Sequence, residues 1–100
     1  MPNTFEFDRR AYNEAQKAVR WYAKRSRGVA IRFAVTLEAS LVKISQIPES
    51  FPVYLAGTRV FGVPRFPYMI IYLHEGDSIK VVAFAHAKRR PGYWRKRLTS

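Results

Sequence analysis

Five residues that can transfer protons or stabilise phosphate charge are predicted to meet at one end of a β-sheet: Arg59, Arg65, His86, Arg89 and Tyr93. Attack of an RNA 2′-hydroxyl on its own phosphate needs a proton acceptor, a proton donor and cations for the developing charge. Histidine titrates near neutrality, tyrosine donates a proton or stacks on a base, and arginine stays charged. These five are therefore candidate catalytic residues for RNA cleavage. A single strand-end histidine is, however, more often structural, and surface arginines are usually solvated.

A basic, aromatic segment at the end of the chain extends this chemistry. Residues 88–97 hold six cations and two aromatic rings directly after an apolar strand-like run. Cations bind phosphate and aromatic faces stack on bases, so the segment suits a polyanion, RNA above all. Besides the candidates already named, the residues predicted to bind nucleic acid or another target are Lys88, Arg90, Trp94, Arg95, Lys96 and Arg97. A packing role for the tryptophan and a solvated tail are the alternatives.

Bulk composition narrows the class of protein. The chain has 100 residues, 48% of them hydrophobic, and a net charge of +11, which indicates one folded domain over residues 1–100 attracted to an anionic partner. The absence of cysteine excludes disulfides and thiolate zinc sites. No apolar run approaches the roughly 20 residues that span a bilayer, and the first residues lack the pattern of a signal peptide. We expect a cytoplasmic protein without a cofactor, a metal or a membrane partner.

Two helices are predicted in the first half of the chain. Asp8 caps the first, over residues 9–27, and Gly28 is expected to end it in a left-handed conformation. The second covers residues 29–46 before Pro48, so the pair should form an antiparallel hairpin. The apolar stripe of the first helix is Tyr12, Ala15, Val19 and Tyr22, and that of the second is Ala30, Phe33, Leu37, Leu41 and Ile44.

Strands are predicted on both sides of this hairpin. A short strand covers residues 4–7, and a three-stranded meander covers 58–63, 68–73 and 79–86, with a turn at Gly76. The fold class is therefore α+β: a two-layer sandwich in which an antiparallel sheet packs one face on the helical hairpin and leaves the other face open.

Side-chain direction follows from these periods. On the last strand the residues predicted to point to the open face are Lys80, Val82, Phe84 and His86, and those predicted to pack under the helices are Ile79, Val81, Ala83 and Ala85. In the first helix, Glu14 lies four residues after Arg10, which predicts an ion pair on the outer face. His74 is predicted to lie in an exposed turn.

Three segments in order resemble the RelE/ParE superfamily, the toxins of bacterial type II toxin–antitoxin modules, often labelled plasmid stabilization proteins. They are residues 44–48, which close the second helix, 65–72, which open the central strand, and 82–94 at the end of the sheet. The resemblance covers nearly the whole chain. It implies a growth-arresting toxin that forms a hetero-oligomer with a cognate acidic antitoxin, which accounts for the charge of +11.

The mechanisms in this superfamily divide into two branches. The target of RelE-like members is the ribosome with its mRNA, and the target of ParE-like members is DNA gyrase. RelE-like members cleave mRNA in the ribosomal A site and commonly place a catalytic arginine just after the equivalent of Tyr68. That position is Met69 here, whereas Arg89 matches the family arginine after the last strand and Tyr93 lies near a functional tyrosine. Because of Met69, ParE-like gyrase inhibition is slightly favoured. RelE-like mRNA cleavage and a non-toxic RNA-binding module remain the alternatives.

Overall fold

The structure is a computed structural model and describes residues 4–99; residues 1–3 and 100 of the predicted domain lie outside the described part. Its elements are β1 (Thr4–Phe7), α1 (Arg9–Ala23), α2 (Arg27–Gln46), β2 (Arg59–Gly62), β3 (Tyr68–Glu75) and β4 (Ser78–His86), with short 3-10 turns at Pro48–Ser50, Leu55–Gly57 and Arg95–Leu98. None of the helices within residues 4–99 is long and apolar enough to cross a bilayer.

Capping side chains determine where both helices begin. The Asp8 carboxylate accepts a bond from the backbone N–H of Arg10 at 2.9 Å, as predicted. The Arg10 guanidinium also donates to both Asp8 oxygens, at 2.9 and 2.8 Å, and this hydrogen bonding lowers the pKa of Asp8 to about 2. The Ser26 hydroxyl accepts from the N–H of Val29 at 3.2 Å, so α2 begins at Arg27. Gly28 therefore lies inside a helix, and its predicted left-handed role is wrong.

Both helices bury an apolar stripe, but only one stripe agrees fully with the sequence pattern. On α2, Phe33, Leu37 and Ile44 are buried and Leu41 packs beside them, as predicted. On α1 the small residues Ala11 and Ala18 are buried in the main core, and their size permits a close approach of the helix to it. The predicted residues Ala15, Val19 and Tyr22 pack beside them. The prediction for Tyr12 is wrong, since it is 53% exposed.

A four-stranded sheet with the order β1-β4-β3-β2 forms the second layer. The predicted α+β two-layer architecture is confirmed, and β2, β3 and β4 form the antiparallel meander. β1, however, pairs with β4 in the parallel direction. The sheet is therefore mixed. Parallel pairing is possible because both helices and the strands β2 and β3 lie between β1 and β4 in the chain, which allows β4 to run beside β1 in the same direction. His74 lies within β3, and its Nδ1 is 3.8 Å from a Glu49 carboxylate oxygen, so it is not an exposed turn residue.

A β-bulge in β4 reverses part of the predicted side-chain pattern. Ile71 pairs with Ala83 whereas Tyr72 pairs with Val81, which leaves Val82 as an extra residue. Because an extra residue shifts the alternation by one, β4 side chains beyond the bulge change faces. The predicted face assignment is therefore wrong for Ala83, Phe84, Ala85 and His86.

The sheet face predicted to be open is covered. Trp94 is 1% exposed and belongs to a small second core with Ile71 and Val82, flanked by Tyr54 and Leu98. This face of the sheet carries apolar residues, so the C-terminal segment folds back and removes them from water. The segment ends in the 3-10 turn at Arg95–Leu98, directly after the buried Trp94.

Candidate functional site

Glu14 on α1 joins the helix to the sheet and to the C-terminal segment. Its carboxylate accepts from Tyr93 Oη at 2.5 Å and from the two terminal nitrogens of Arg97 at 2.8 and 3.0 Å. It also accepts from the backbone N–H of Phe84 at 3.1 Å, and Arg97 donates to the carbonyl of Val82 at 3.0 Å. We call Glu14, Tyr93 and Arg97 the tail clamp. The predicted outer-face position of Glu14 is wrong, because this carboxylate turns inward to these donors.

The tail clamp raises the pKa values of two of its members, Tyr93 and Arg97. Burial, followed by the hydrogen bond to Glu14, raises the pKa of Tyr93 well above its ordinary value. Burial alone would lower the pKa of Arg97, but the hydrogen bond and charge of Glu14 outweigh it, and that pKa is raised. The Tyr93 hydroxyl is therefore a protonated donor whose proton is directed at Glu14.

The five candidate catalytic residues do not converge on one site. Arg59 donates to the backbone carbonyls of Glu49 and Phe51, at 3.2 and 2.8 Å, and so fastens the loop before β2. Arg65 is exposed in the connection between β2 and β3, with φ of 67°, and lines a separate cavity with α2. His86 and Arg89 do lie together, and Arg89 stacks over the Tyr93 ring at 3.8 Å.

His86 and Arg89 line a cavity of about 350 Å³ between α1 and the end of the sheet. We call it the sheet-end cavity. Its other lining residues include Lys17, Trp21 and Tyr68. His86 contacts Tyr68 edge-on, with ring centroids 5.0 Å apart, and its Nδ1 accepts from the backbone N–H of Lys88 at 3.0 Å. In the neutral ring this bond assigns the proton to Nε2.

Four of the predicted binding cations are exposed and two other predicted residues are not. Trp94 is in the second core and Arg97 is in the tail clamp, so the prediction that they contact a target is not supported by their positions. The exposed cations are Lys88, Arg90, Arg95 and Lys96. An anionic target can therefore bind to the outer surface of the C-terminal segment.

Sequence reasoning missed the contribution of α1 to this region. Glu14, Lys17 and Trp21 follow one another at three- and four-residue steps and therefore lie on one helix face. That spacing indicates a shared surface of α1, but the ion pair predicted between Glu14 and Arg10 placed Glu14 on the outer face instead. Within residues 4–99, no group of three or more histidine and acidic side chains is arranged to hold a metal ion.

Comparison with known protein families identifies the family of this chain. The family model described as "ParE toxin of type II toxin-antitoxin system, parDE" matches residues 5–91. The chain belongs to the ParE toxin family. The resemblance to the RelE/ParE superfamily predicted from three sequence segments is confirmed.

A solved structure supports the ParE-type fold. A chain of the "Chromosomal ParDE TA system from P. aeruginosa" superposes with a TM-score of 0.74 at 13% identity, covering 86% of this chain and 97% of that one. At this identity the match shows a shared fold. No curated protein matches the sequence significantly.

Proposed function

We propose that this ParE-family chain is a growth-inhibiting toxin that acts on DNA gyrase in the cytoplasm and is neutralised by a cognate antitoxin. The observation that carries the choice of target is the tail clamp. Tyr93, the candidate proton donor, is hydrogen-bonded to Glu14 and has a raised pKa. General acid–base catalysis requires a group whose proton can move to the substrate near the working pH.

Two further positions support a non-nuclease target. Met69 stands where the resemblance places a nuclease arginine, and it packs against the second core. Arg59 is occupied by the carbonyls of Glu49 and Phe51. A nuclease that used Arg59 would need this side chain released from the two carbonyls, whereas binding to a protein target can use the exposed cations of the C-terminal segment.

The antitoxin part of the proposal rests on charge and on the family. With a net charge of +11, an acidic partner relieves the self-repulsion of the folded chain. The structurally similar P. aeruginosa chain comes from a ParDE toxin–antitoxin system. We infer that the adjacent gene encodes a short acidic antitoxin and that the two proteins form a hetero-oligomer.

Ribosome-dependent mRNA cleavage is the second candidate, because His86 and Arg89 do lie in one cavity. Purified protein added separately to gyrase supercoiling reactions and to translating ribosomes distinguishes the two. We expect loss of supercoiling and intact mRNA. Codon-positioned mRNA cleavage that Arg89→Ala abolishes, with supercoiling unaffected, would assign the nuclease function instead.

Growth assays test the toxin itself. Induction of the chain alone should arrest growth, and co-expression with the adjacent gene should restore it. Normal growth on induction alone, with soluble protein accumulating, would contradict the toxin proposal and leave an RNA-binding module.

A further inference from the structure

The sheet-end cavity has a lining that neither gyrase inhibition nor the tail clamp explains. It lies on the helix side of the sheet, and its volume of about 350 Å³ is in the range of small-molecule sites. One wall comes from α1 and the other from β3, β4 and the start of the C-terminal segment.

Aromatic rings form much of this lining. Trp21 is 49% exposed and contacts Tyr22 edge-on, with centroids 5.1 Å apart. The Arg25 guanidinium donates to the Trp21 carbonyl at 2.9 Å and lies over one face of the Trp21 ring, 3.6 Å from its centroid. A half-exposed indole beside a cavity offers a surface on which a planar ring can stack.

Hydrogen-bond donors dominate the polar part of the lining. Lys17 and Arg89 supply positive charge, and His86 supplies an N–H. Burial raises the pKa of Tyr22, and burial together with the neighbouring Tyr22 raises that of Tyr68, so both phenols keep their protons at neutral pH. Among the described lining residues the one carboxylate is that of Glu14, which already accepts four hydrogen bonds within the protein.

A matching ligand must therefore be planar and aromatic in one part, and anionic and rich in acceptors in another. We propose that the sheet-end cavity binds a nucleotide, whose base stacks on the ring of Trp21 and whose phosphate contacts Lys17 and Arg89. The nucleotide is either free or part of a single strand. This inference concerns binding alone, and it does not depend on the target of the toxin.

Equilibrium dialysis of the whole chain tests this site with four probes: a nucleoside monophosphate, the matching nucleoside, inorganic phosphate and a short single-stranded oligonucleotide. We expect saturable binding of the monophosphate at least about tenfold tighter than of the nucleoside or of phosphate, because charge-assisted hydrogen bonds and stacking act together. Binding of the oligonucleotide but not of the monophosphate would identify a strand as the source. Equal affinity for phosphate and monophosphate would overturn the proposal, and so would no binding of either nucleotide form.

Matched variants separate the cavity from general charge attraction. Lys17→Gln should weaken binding by about tenfold. Lys43→Gln removes the same charge from α2 away from the cavity and should leave binding unchanged. Trp21→Leu should weaken binding of the nucleotide without changing affinity for phosphate. Equal losses in the two lysine variants, with unchanged urea midpoints, would show that the net charge alone attracts the ligand.

Discussion

Replacing Glu14 by glutamine removes the acceptor charge on which the tail clamp depends. The Glu14 and Arg97 side chains are only 17% and 11% exposed, and the carboxylate also accepts from Tyr93 and the backbone of Phe84. Loss of one partner of a buried charge pair costs about 3–5 kcal/mol because the other charge stays buried without compensation. Glutamine keeps one carbonyl acceptor and both side chains retain some solvent contact, so we expect about 3 kcal/mol, the lower end of that range.

Urea unfolding followed by tryptophan fluorescence measures this loss. With a slope of about 2 kcal/mol per molar for a small domain, a loss of about 3 kcal/mol moves the midpoint down by about 1.5 M. Trp94, in the second core, reports on release of the C-terminal segment. Limited trypsin digestion should in parallel cut Glu14→Gln within residues 88–97 faster than wild type, because that segment detaches more often.

Glu38→Gln is the matched control, since Glu38 is an exposed glutamate on α2. It should change stability by less than about 0.5 kcal/mol. A midpoint for Glu14→Gln equal to that of the control, with the trypsin pattern unchanged, would refute the view that the tail clamp holds the C-terminal segment on the sheet.

Three other substitutions test local features of the fold. Tyr93→Phe removes a hydrogen bond to a charged acceptor and should cost about 1.5–3 kcal/mol in urea unfolding. Because the folded pKa of Tyr93 is raised, its contribution is complete below about pH 10 and is lost as the pH rises through the folded value, so this variant should show a weaker alkaline loss of stability than wild type. Asp8→Ala should cost about 1 kcal/mol at neutral pH through loss of the helix cap. The folded pKa of Asp8 is lowered to about 2, so its contribution is present above about pH 4 and declines towards pH 2, where the stability difference from wild type should narrow; an unchanged difference would contradict the Arg10 contact. Gly76 has φ of +57° and no atom near an added Cβ, so Gly76→Ala should cost about 1 kcal/mol from backbone strain in urea unfolding. Gly62 also lies in open space but has no positive φ, so Gly62→Ala should be neutral in the same assay.

Structural features that depend on neighbouring residues could be predicted from the sequence alone. The cap at Asp8 and the positive-φ turn at Gly76 depend on a few neighbouring residues, and the buried stripe of α2 depends on a spacing of three or four residues within one helix. The α+β class followed from where the hydrophobic period changes, and the family followed from three local segments. Helical and strand periods repeat every few residues, so they can be read without knowing what packs against them.

Tertiary structure alone decided the faces of β4 and the contacts of the candidate site. The extra residue Val82 is visible only against the register of β3, and it turned His86 towards the helices. Glu14 meets Tyr93 and Arg97 across 79 and 83 residues of chain, a separation at which local spacing carries no information. The amino-acid composition predicted a basic protein attracted to an anionic partner, and the resemblance of three sequence segments predicted the family. The fold determined that Arg97 pairs with the Glu14 carboxylate while the other cations of the C-terminal segment stay exposed. Such a pairing depends on long-range packing, because its two residues are far apart in the sequence.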